Sequence, residues 1–195
     1  MLKSALVQAG SPATSCGEND AGIATVYQDL ALCDNLDVVA NLFLGREEEG
    51  PPPFIKEEDM EKRAVEVLRS LSVKLPHVRT PIASLSGGQR QSVAVSRSVM
   101  WDAKVVLLDE PTAALGVAQT KQVLALVRRL KEQGLGVVVI SHNLADVFEV
   151  CDRIVVLRLG RRIADFMVAE ATREQVVAAI TGATLDILKS SEEPK

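Results

Sequence analysis

Aromatic residues and cysteines are scarce in this sequence, and its longest apolar stretch is short. Phe, Trp and Tyr make up 3% of the 195 residues, so few side chains could stack on nucleic-acid bases. The net charge of −4 also argues against nucleic acid as a partner. The three cysteines share no metal-ligand spacing, and their odd number favours a reduced setting over a disulfide framework. The longest apolar run, LGVVVI, has the length of a strand and falls short of a membrane span.

No lysine stands beside a glycine anywhere in the chain. The phosphate-binding motif G-x-x-x-x-G-K-[ST] requires that pair, and no stretch matches it. The segment GREEEGPP, from Gly45 to Pro52, has the glycine spacing but carries acidic residues that would repel a phosphate. Its prolines also lack the N–H groups that such a helix start would offer. The sequence therefore contains no phosphate loop of this type.

The segments that are present alternate between apolar runs and amphipathic stretches. GIATVYQDL, AKVVLLDEP and LGVVVISHN are typical of strands, whereas residues 57–71 and 117–134 have the spacing of helices. Ser86 is placed to cap a further helix that runs to about Met100. Towards the end, two short strands meet near Gly160, and a capping box predicts a last helix. Strand–helix–strand order predicts one α/β domain with a parallel sheet covered by helices.

Polar residues follow two of these strands at the point where each one ends. Asp109 suits a Mg²⁺ ion that accompanies ATP, since Mg²⁺ binds one or two carboxylates together with water and phosphate oxygens. Glu110 could accept a proton from an attacking water, although a merely solvated or salt-bridged acid pair is the alternative. His142 follows a similar strand and could donate to a phosphate oxygen on the same rim of the sheet. His77 has no such context and is expected to be an ordinary satisfied histidine.

The stretch Ser86-Gly87-Gly88-Gln89 opens the predicted central helix. Glycines allow a backbone to approach a phosphate, and the first N–H groups of a helix present positive potential to it. The serine hydroxyl adds another donor. A simple helix cap explains the same four residues, and that alternative stays open at this point.

Four motifs together carry a resemblance to a known family. LSGGQRQ, VVLLDEPTAAL, VISHN and VYQD resemble, in order and relative spacing, the signature, Walker B, H-loop and Q-loop motifs of the ATP-binding cassette ATPases. The resemblance covers about residues 22–185 and is closest to sugar-import subunits of the ribose, xylose and fructose type. It implies a P-loop NTPase-like parallel sheet core, incomplete here, with an inserted α-helical subdomain at about residues 36–100. Residues 1–21 would form an irregular segment, and residues 186–195 a solvated tail.

The resemblance also implies a role for each motif residue. In it, Asp109 holds Mg²⁺ through water, and Gln28 senses that metal and the nucleotide while contacting the membrane partner. Glu110 polarises the hydrolytic water, so that the catalytic residues would be Glu110, His142 and Gln28. His142 would contact the γ-phosphate. The signature residues Ser86, Gly87, Gly88 and Gln89 would bind ATP held by the other subunit of a head-to-tail dimer. ATP and Mg²⁺ are the implied cofactors.

The implied partners are a second ABC ATPase subunit, integral-membrane permease subunits and, indirectly, a sugar-binding protein. That assembly would place the chain at the cytoplasmic face of the membrane, without nucleic acid. Two features depart from the family pattern: Gly116 replaces a common aspartate, and the Walker A loop is missing, as in a cassette cut at its N-terminus. We therefore expect no ATP turnover by the chain alone. The alternatives are a non-catalytic partner that supplies its signature loop in trans, and a non-transport cassette protein acting on nucleic acid or ribosomes.

Overall fold

The computed structural model describes residues 22–48 and 55–183. The strands are β1 (Ile23–Val26), β2 (Val105–Asp109), β3 (Gly136–Ile140), β4 (Arg153–Arg158) and β5 (Arg161–Met167). The helices are α1 (Val38–Phe43), α2 (Glu57–Ser70), α3 (Gly87–Val99), α4 (Val117–Glu132), α5 (Leu144–Val150) and α6 (Arg173–Thr181). The chain divides into two compact units between Val138 and Val139, called here the first and the second unit. The predicted segment 1–21 and tail 186–195 lie outside the described residues.

Strands β1, β2 and β3 form a sheet in that order, and the boundary between the two units falls within β3. β1 and β2 are parallel, and Val26 pairs with Leu108 at their carboxyl ends. Val106 and Leu108 are fully buried while their neighbours along β2 are half-buried, as expected for a strand with one tightly packed face. The predicted α/β class with a parallel sheet is thus confirmed. The first strand is shorter than its apolar pattern indicates. It ends at Val26, and the next residue, Tyr27, is 58% exposed.

Helices α1, α2 and α3 enclose an apolar core in the first unit. Its buried residues include Val38, Leu42 and Phe43 on α1, and Met60, Ala64 and Leu68, which are spaced four residues apart on α2. α2 begins with three acidic residues and has Arg69 in its last turn, which suits the helix dipole. Within the described residues, none of the helices combines the length and apolar character that crossing a bilayer requires.

Trp101, in the turn after α3, closes one side of this core. Its ring meets the Phe43 ring edge-on, with 5.8 Å between the two centroids. The guanidinium carbons of Arg46 and Arg63 lie 5.0 and 4.8 Å from the centroid of the Trp101 ring. Arg63 also donates to the Met100 carbonyl at 3.2 Å. Cation–π contacts and the edge-on pair therefore tie α1 and α2 to the turn that leads into β2.

Asn41 is a fully buried polar residue inside α1. Its Nδ2 group donates to the carbonyls of Cys33, Leu36 and Asp37 at 3.0, 3.3 and 2.9 Å. Its Oδ1 atom accepts from the Cys33 N–H at 2.7 Å. The side chain thereby satisfies the backbone of the segment that precedes the helix, which runs between β1 and α1.

Replacing Asn41 with alanine is expected to lower the free energy of unfolding by about 3 kcal/mol, because it removes four hydrogen bonds at a fully buried position and leaves the Cys33 N–H without a partner. Asn35, exposed in the same segment, provides the matched control: Asn35→Ala should stay within about 0.5 kcal/mol of the wild type. Urea unfolding followed by circular dichroism measures both values. Equal midpoints for the two variants would show that the Asn41 hydrogen bonds stabilise nothing beyond solvent contacts.

The second unit is a hairpin covered by helices. β4 and β5 pair antiparallel and join at the turn predicted near Gly160, whose φ is +76°. Thr172 and Gln175 form the predicted capping box at the start of α6, and Gly182 follows the helix in the left-handed conformation. Val156 and Val176 are fully buried between α6 and the hairpin. The predictions for this unit are confirmed in element type and in position.

Candidate functional site

Asp109 and Glu110 lie where β2 ends and the chain turns. Asp109 is the last residue of the strand, and both acids are half-buried. Glu110 has a φ of +49°, which is unusual for a residue other than glycine, and its carbonyl accepts from the Ala113 N–H at 3.0 Å. Ala114, in the same turn, has a φ of +59°. Such strained backbone is found often at functional sites, so the turn supports the prediction that these acids have a chemical role.

Among the described residues, no three His, Cys, Asp or Glu side chains come together in a group that could enclose a metal ion. Mg²⁺ that arrives on a nucleotide needs only one or two carboxylates, because phosphate oxygens and water complete its shell. The single strand-end carboxylate of Asp109 fits that requirement. The metal role of Asp109 and Gln28 stays a prediction.

Gln28 lies at the same edge of the sheet as the acid pair. Val26 and Leu108 are paired residues of parallel strands, and Gln28 and Glu110 each come two residues after their paired residue. Side chains that follow neighbouring parallel strands are placed side by side at the carboxyl end of the sheet. Gln28 is exposed, as a residue that reaches a ligand or a partner must be.

Ser86 caps helix α3 through a complete capping box. The Gln89 N–H donates to Ser86 Oγ at 3.3 Å, and the Ser86 N–H donates to Gln89 Oε1 at 3.0 Å. The Gln89 amide also donates to the Lys74 carbonyl at 3.3 Å. Gln89 therefore has a structural task within the loop, whereas the Ser86 hydroxyl accepts one bond and keeps its own hydrogen for donation.

Gly87 and Gly88 have two properties that bear on both interpretations of the loop. Within the part of the chain that the structure describes, neither N–H has an acceptor, so both can meet an anion at the helix start. A Cβ atom at Gly87 would lie 2.9 Å from Leu115 Cδ2, and one at Gly88 would lie 3.0 Å from Gln119 Cβ. The glycines are therefore also needed for packing, and they place the signature loop against the start of α4, a few residues after Glu110.

His142 belongs to the second unit and follows β3 by two residues. It is exposed and stands between residues with fixed positions: Ser141 is 3% exposed and its Oγ accepts from the Asn143 N–H at 3.1 Å. Asn143 caps α5 by accepting from the Ala145 N–H at 3.0 Å. The contact of His142 with a phosphate stays a prediction. His77 is an exposed surface residue that accepts from the Arg79 N–H at 3.0 Å, as expected of a histidine without a special role.

The sequence analysis missed two residues that hold the segment between β1 and α1. Asn41 fixes its second half, and Arg97 on α3 donates to the carbonyls of Leu30 and Ala31 in its first half. The signal for Asn41 was present, since an asparagine interrupts the apolar run VVANLF. Arg97 gave no such signal, because arginines at that spacing along a helix are usually solvated.

The sheet with the acid pair at its carboxyl end and the capped glycine loop have the fold of ATP-binding cassettes. Solved structures agree: a nucleotide-free ATP-binding cassette matches with a TM-score of 0.68 at 24% identity, covering 85% of this chain and 67% of that one. A dimeric cassette in a post-hydrolysis state, bound to ADP and Pi, matches with a TM-score of 0.60 at 27% identity, covering 75% of this chain and 62% of that one. The family model for the ABC transporter matches residues 5–113. The chain belongs to the ABC transporter family.

Curated relatives in this family share much of the sequence. The xylose/arabinose import ATP-binding protein XylG of Sulfolobus acidocaldarius is 42% identical over 178 residues, which are 90% of this chain and 70% of XylG. The fructose import ATP-binding protein FrcA of Rhizobium meliloti is 45% identical over 84% of this chain and 65% of FrcA. The ribose import ATP-binding protein RbsA of Lacticaseibacillus paracasei is 36% identical over 91% of this chain. The chain spans 36% of that RbsA, so it corresponds to only part of the length of some relatives.

Proposed function

We propose that this chain is the ATP-binding component of an ABC-type sugar importer. The observation that carries the proposal is the signature loop, in which the Ser86 hydroxyl and two N–H groups lie free to donate beside the turn that begins at Glu110. The similar chains are named as import ATP-binding proteins for xylose, arabinose, fructose or ribose, which supports a sugar as the cargo. The cargo itself would contact other subunits.

In this function the nucleotide lies between two cassettes. Ser86, Gly87 and Gly88 donate hydrogen bonds to the γ-phosphate of ATP held by the partner cassette, and Gln89 keeps their geometry through the capping box. Asp109 and Gln28 would hold Mg²⁺ through water, and the ion would supply charge neutralisation on the phosphates. Glu110 polarises the attacking water, and His142 donates to the γ-phosphate. Gln28 also contacts the permease.

A second cassette is part of the proposal because the signature loop serves a nucleotide held by another chain, and the 195 residues themselves contain no glycine–lysine pair of a P-loop. A P-loop lysine and its backbone donors supply several charge-assisted hydrogen bonds of about 1.5–3 kcal/mol each. The chain by itself is therefore proposed to show no turnover. Peripheral attachment to the cytoplasmic face of the membrane, through the permease, belongs to the same proposal.

Ser86→Ala tests this function in the transporter complex, purified from its native membrane through a tag on this chain. Loss of a hydrogen bond to a charged phosphate should lower kcat/KM for MgATP about 10- to 100-fold. Thr172→Ala is the matched control, because Thr172 caps α6 with the same box of two hydrogen bonds and lies outside the proposed site. Both variants lose a helix cap worth about 1 kcal/mol, and phosphate release should fall only in Ser86→Ala. Equal losses of activity in the two variants would reduce Ser86 to a helix cap.

A further inference from the structure

Arg97 is a half-buried cation near the end of α3 whose partners are backbone carbonyls. Its Nη1 group donates to the Ala31 carbonyl at 2.9 Å and its Nη2 group to the Leu30 carbonyl at 3.3 Å. Among the described residues, no carboxylate forms an ion pair with it. Burial lowers the pKa of Arg97, the nearby Cys33 opposes this shift, and the guanidinium stays protonated at any physiological pH. Burying a charge costs free energy unless hydrogen bonds compensate for the lost water, so the two bonds to the carbonyls are what keep Arg97 in this position.

The two carbonyls belong to the turn that begins at Gln28. Tyr27, Gln28 and Asp29 are exposed, so few side-chain contacts stabilise the outer side of this turn. Its inner side borders a cavity of about 340 Å³, lined among others by Tyr27, Asp29, Leu30 and Arg97. Ala31 has a φ of +48°, an unfavourable conformation for an alanine that persists only where surrounding contacts impose it. The hydrogen bonds of Arg97 to the Ala31 and Leu30 carbonyls are two such contacts.

Helix α3 carries a second arginine with backbone partners near its start, Arg90, which also forms an ion pair with Asp34 at 3.4 Å. Arg90 donates to the carbonyls of Ala83 and Leu85 at 3.0 and 3.2 Å, in the turn that leads into Ser86. The two arginines are seven residues apart, or about 10 Å along a helix. One rigid helix thus holds the backbone beside Ser86 at its start and the backbone beside Gln28 at its end.

We infer that Arg97 is the positioning residue for Gln28. By fixing the carbonyls of Leu30 and Ala31, it keeps the turn folded back, so that Gln28 stays beside Glu110 at the carboxyl end of the sheet. The inference rests on the proposed function, in which Gln28 contacts the metal and the nucleotide. Arg97 itself does not touch either of them and acts only through the turn.

Limited proteolysis of the full chain with chymotrypsin, followed by mass spectrometry, tests the position of the turn. Arg97→Gln should raise the rate of cleavage after Tyr27 or Leu30 about tenfold or more, because two hydrogen bonds from a charged group that hold the turn are lost. Arg97→Lys keeps the charge on a single donor group and should give an intermediate rate. The matched control is Arg63→Gln, which removes another bond to a carbonyl but leaves the turn held. An unchanged rate of cleavage after Tyr27 and Leu30 in Arg97→Gln would overturn the inference.

The consequence for the reaction is measured in the purified transporter complex. Arg97→Gln should lower kcat about tenfold or more and leave KM for MgATP unchanged, since a displaced Gln28 impairs alignment and not affinity. Arg97→Lys should recover part of kcat, whereas Arg63→Gln should keep it. If the wild-type complex has no ATPase activity and Arg97→Gln is cleaved faster in the turn, the proposed function is overturned and the positioning of the turn by Arg97 stands. If the wild-type complex is active and Arg97→Gln leaves kcat unchanged, the claim that catalysis depends on the position of Gln28 is overturned.

Discussion

Replacing Glu110 with glutamine is expected to lower ATP hydrolysis by the transporter complex about 10²- to 10⁴-fold, the usual contribution of a positioned general base. Glutamine has the same shape but cannot accept the proton of the attacking water. Because Glu110 is not proposed to hold the nucleotide, the Kd for MgATP should stay within about twofold of the wild type. Phosphate release and equilibrium binding of a fluorescent ATP analogue measure the two quantities.

Glu132→Gln is the control for this experiment. Glu132 is exposed at the last residue of α4, so the same change in charge should leave both hydrolysis and binding unaltered. Normal hydrolysis in Glu110→Gln, combined with its loss in Ser86→Ala, would identify a non-catalytic chain that supplies only its signature loop to another cassette. Normal hydrolysis in both variants would contradict the proposed function altogether.

The largest effect on stability is expected for Phe43→Ala. Phe43 is fully buried where α1 meets the core, and its ring contacts Trp101 edge-on. Removing the ring leaves a cavity between helices of the first unit, and the free energy of unfolding should fall by about 3–5 kcal/mol. Urea unfolding monitored by circular dichroism gives the value.

Val117→Ala provides the comparison within the same unit. Val117 is 77% exposed at the first residue of α4, so this truncation should change the free energy of unfolding by less than about 0.5 kcal/mol. A loss below about 1 kcal/mol in Phe43→Ala would mean that the core around α1 collapses onto the vacated space.

Periodic elements of this protein could be predicted because their causes are local in sequence. The buried face of α2, the cap at Ser86, the capping box of Thr172 with Gln175, and strand β2 follow from spacing and from cap residues close in sequence. The end of β1 could not be predicted, because Tyr27 continues the strand pattern in sequence and only the course of the following turn leaves it exposed.

The candidate site was predictable only in part, for a related reason. Asp109 and Glu110 could be predicted because two acidic residues follow directly after an apolar run. The glycines of the signature loop were predicted for contact with phosphate, whereas their close approach to Leu115 and Gln119 depends on how α3 packs against α4. Arg97 serves carbonyls that lie 66 and 67 positions earlier in the chain, and no periodicity encodes such a contact.

The position of Trp101 gives the protein an intrinsic optical reporter. It is the only tryptophan of the 195 residues, so the emission excited at the red edge of the protein absorption comes from this one place. Two guanidinium groups lie near its ring, and the ring borders the same cavity as Tyr27 and Arg97. The wavelength and yield of that emission depend on the local field and hydration around the indole. The unlabelled chain can therefore report spectroscopically when the turn at Gln28 is displaced or when a partner fills the cavity.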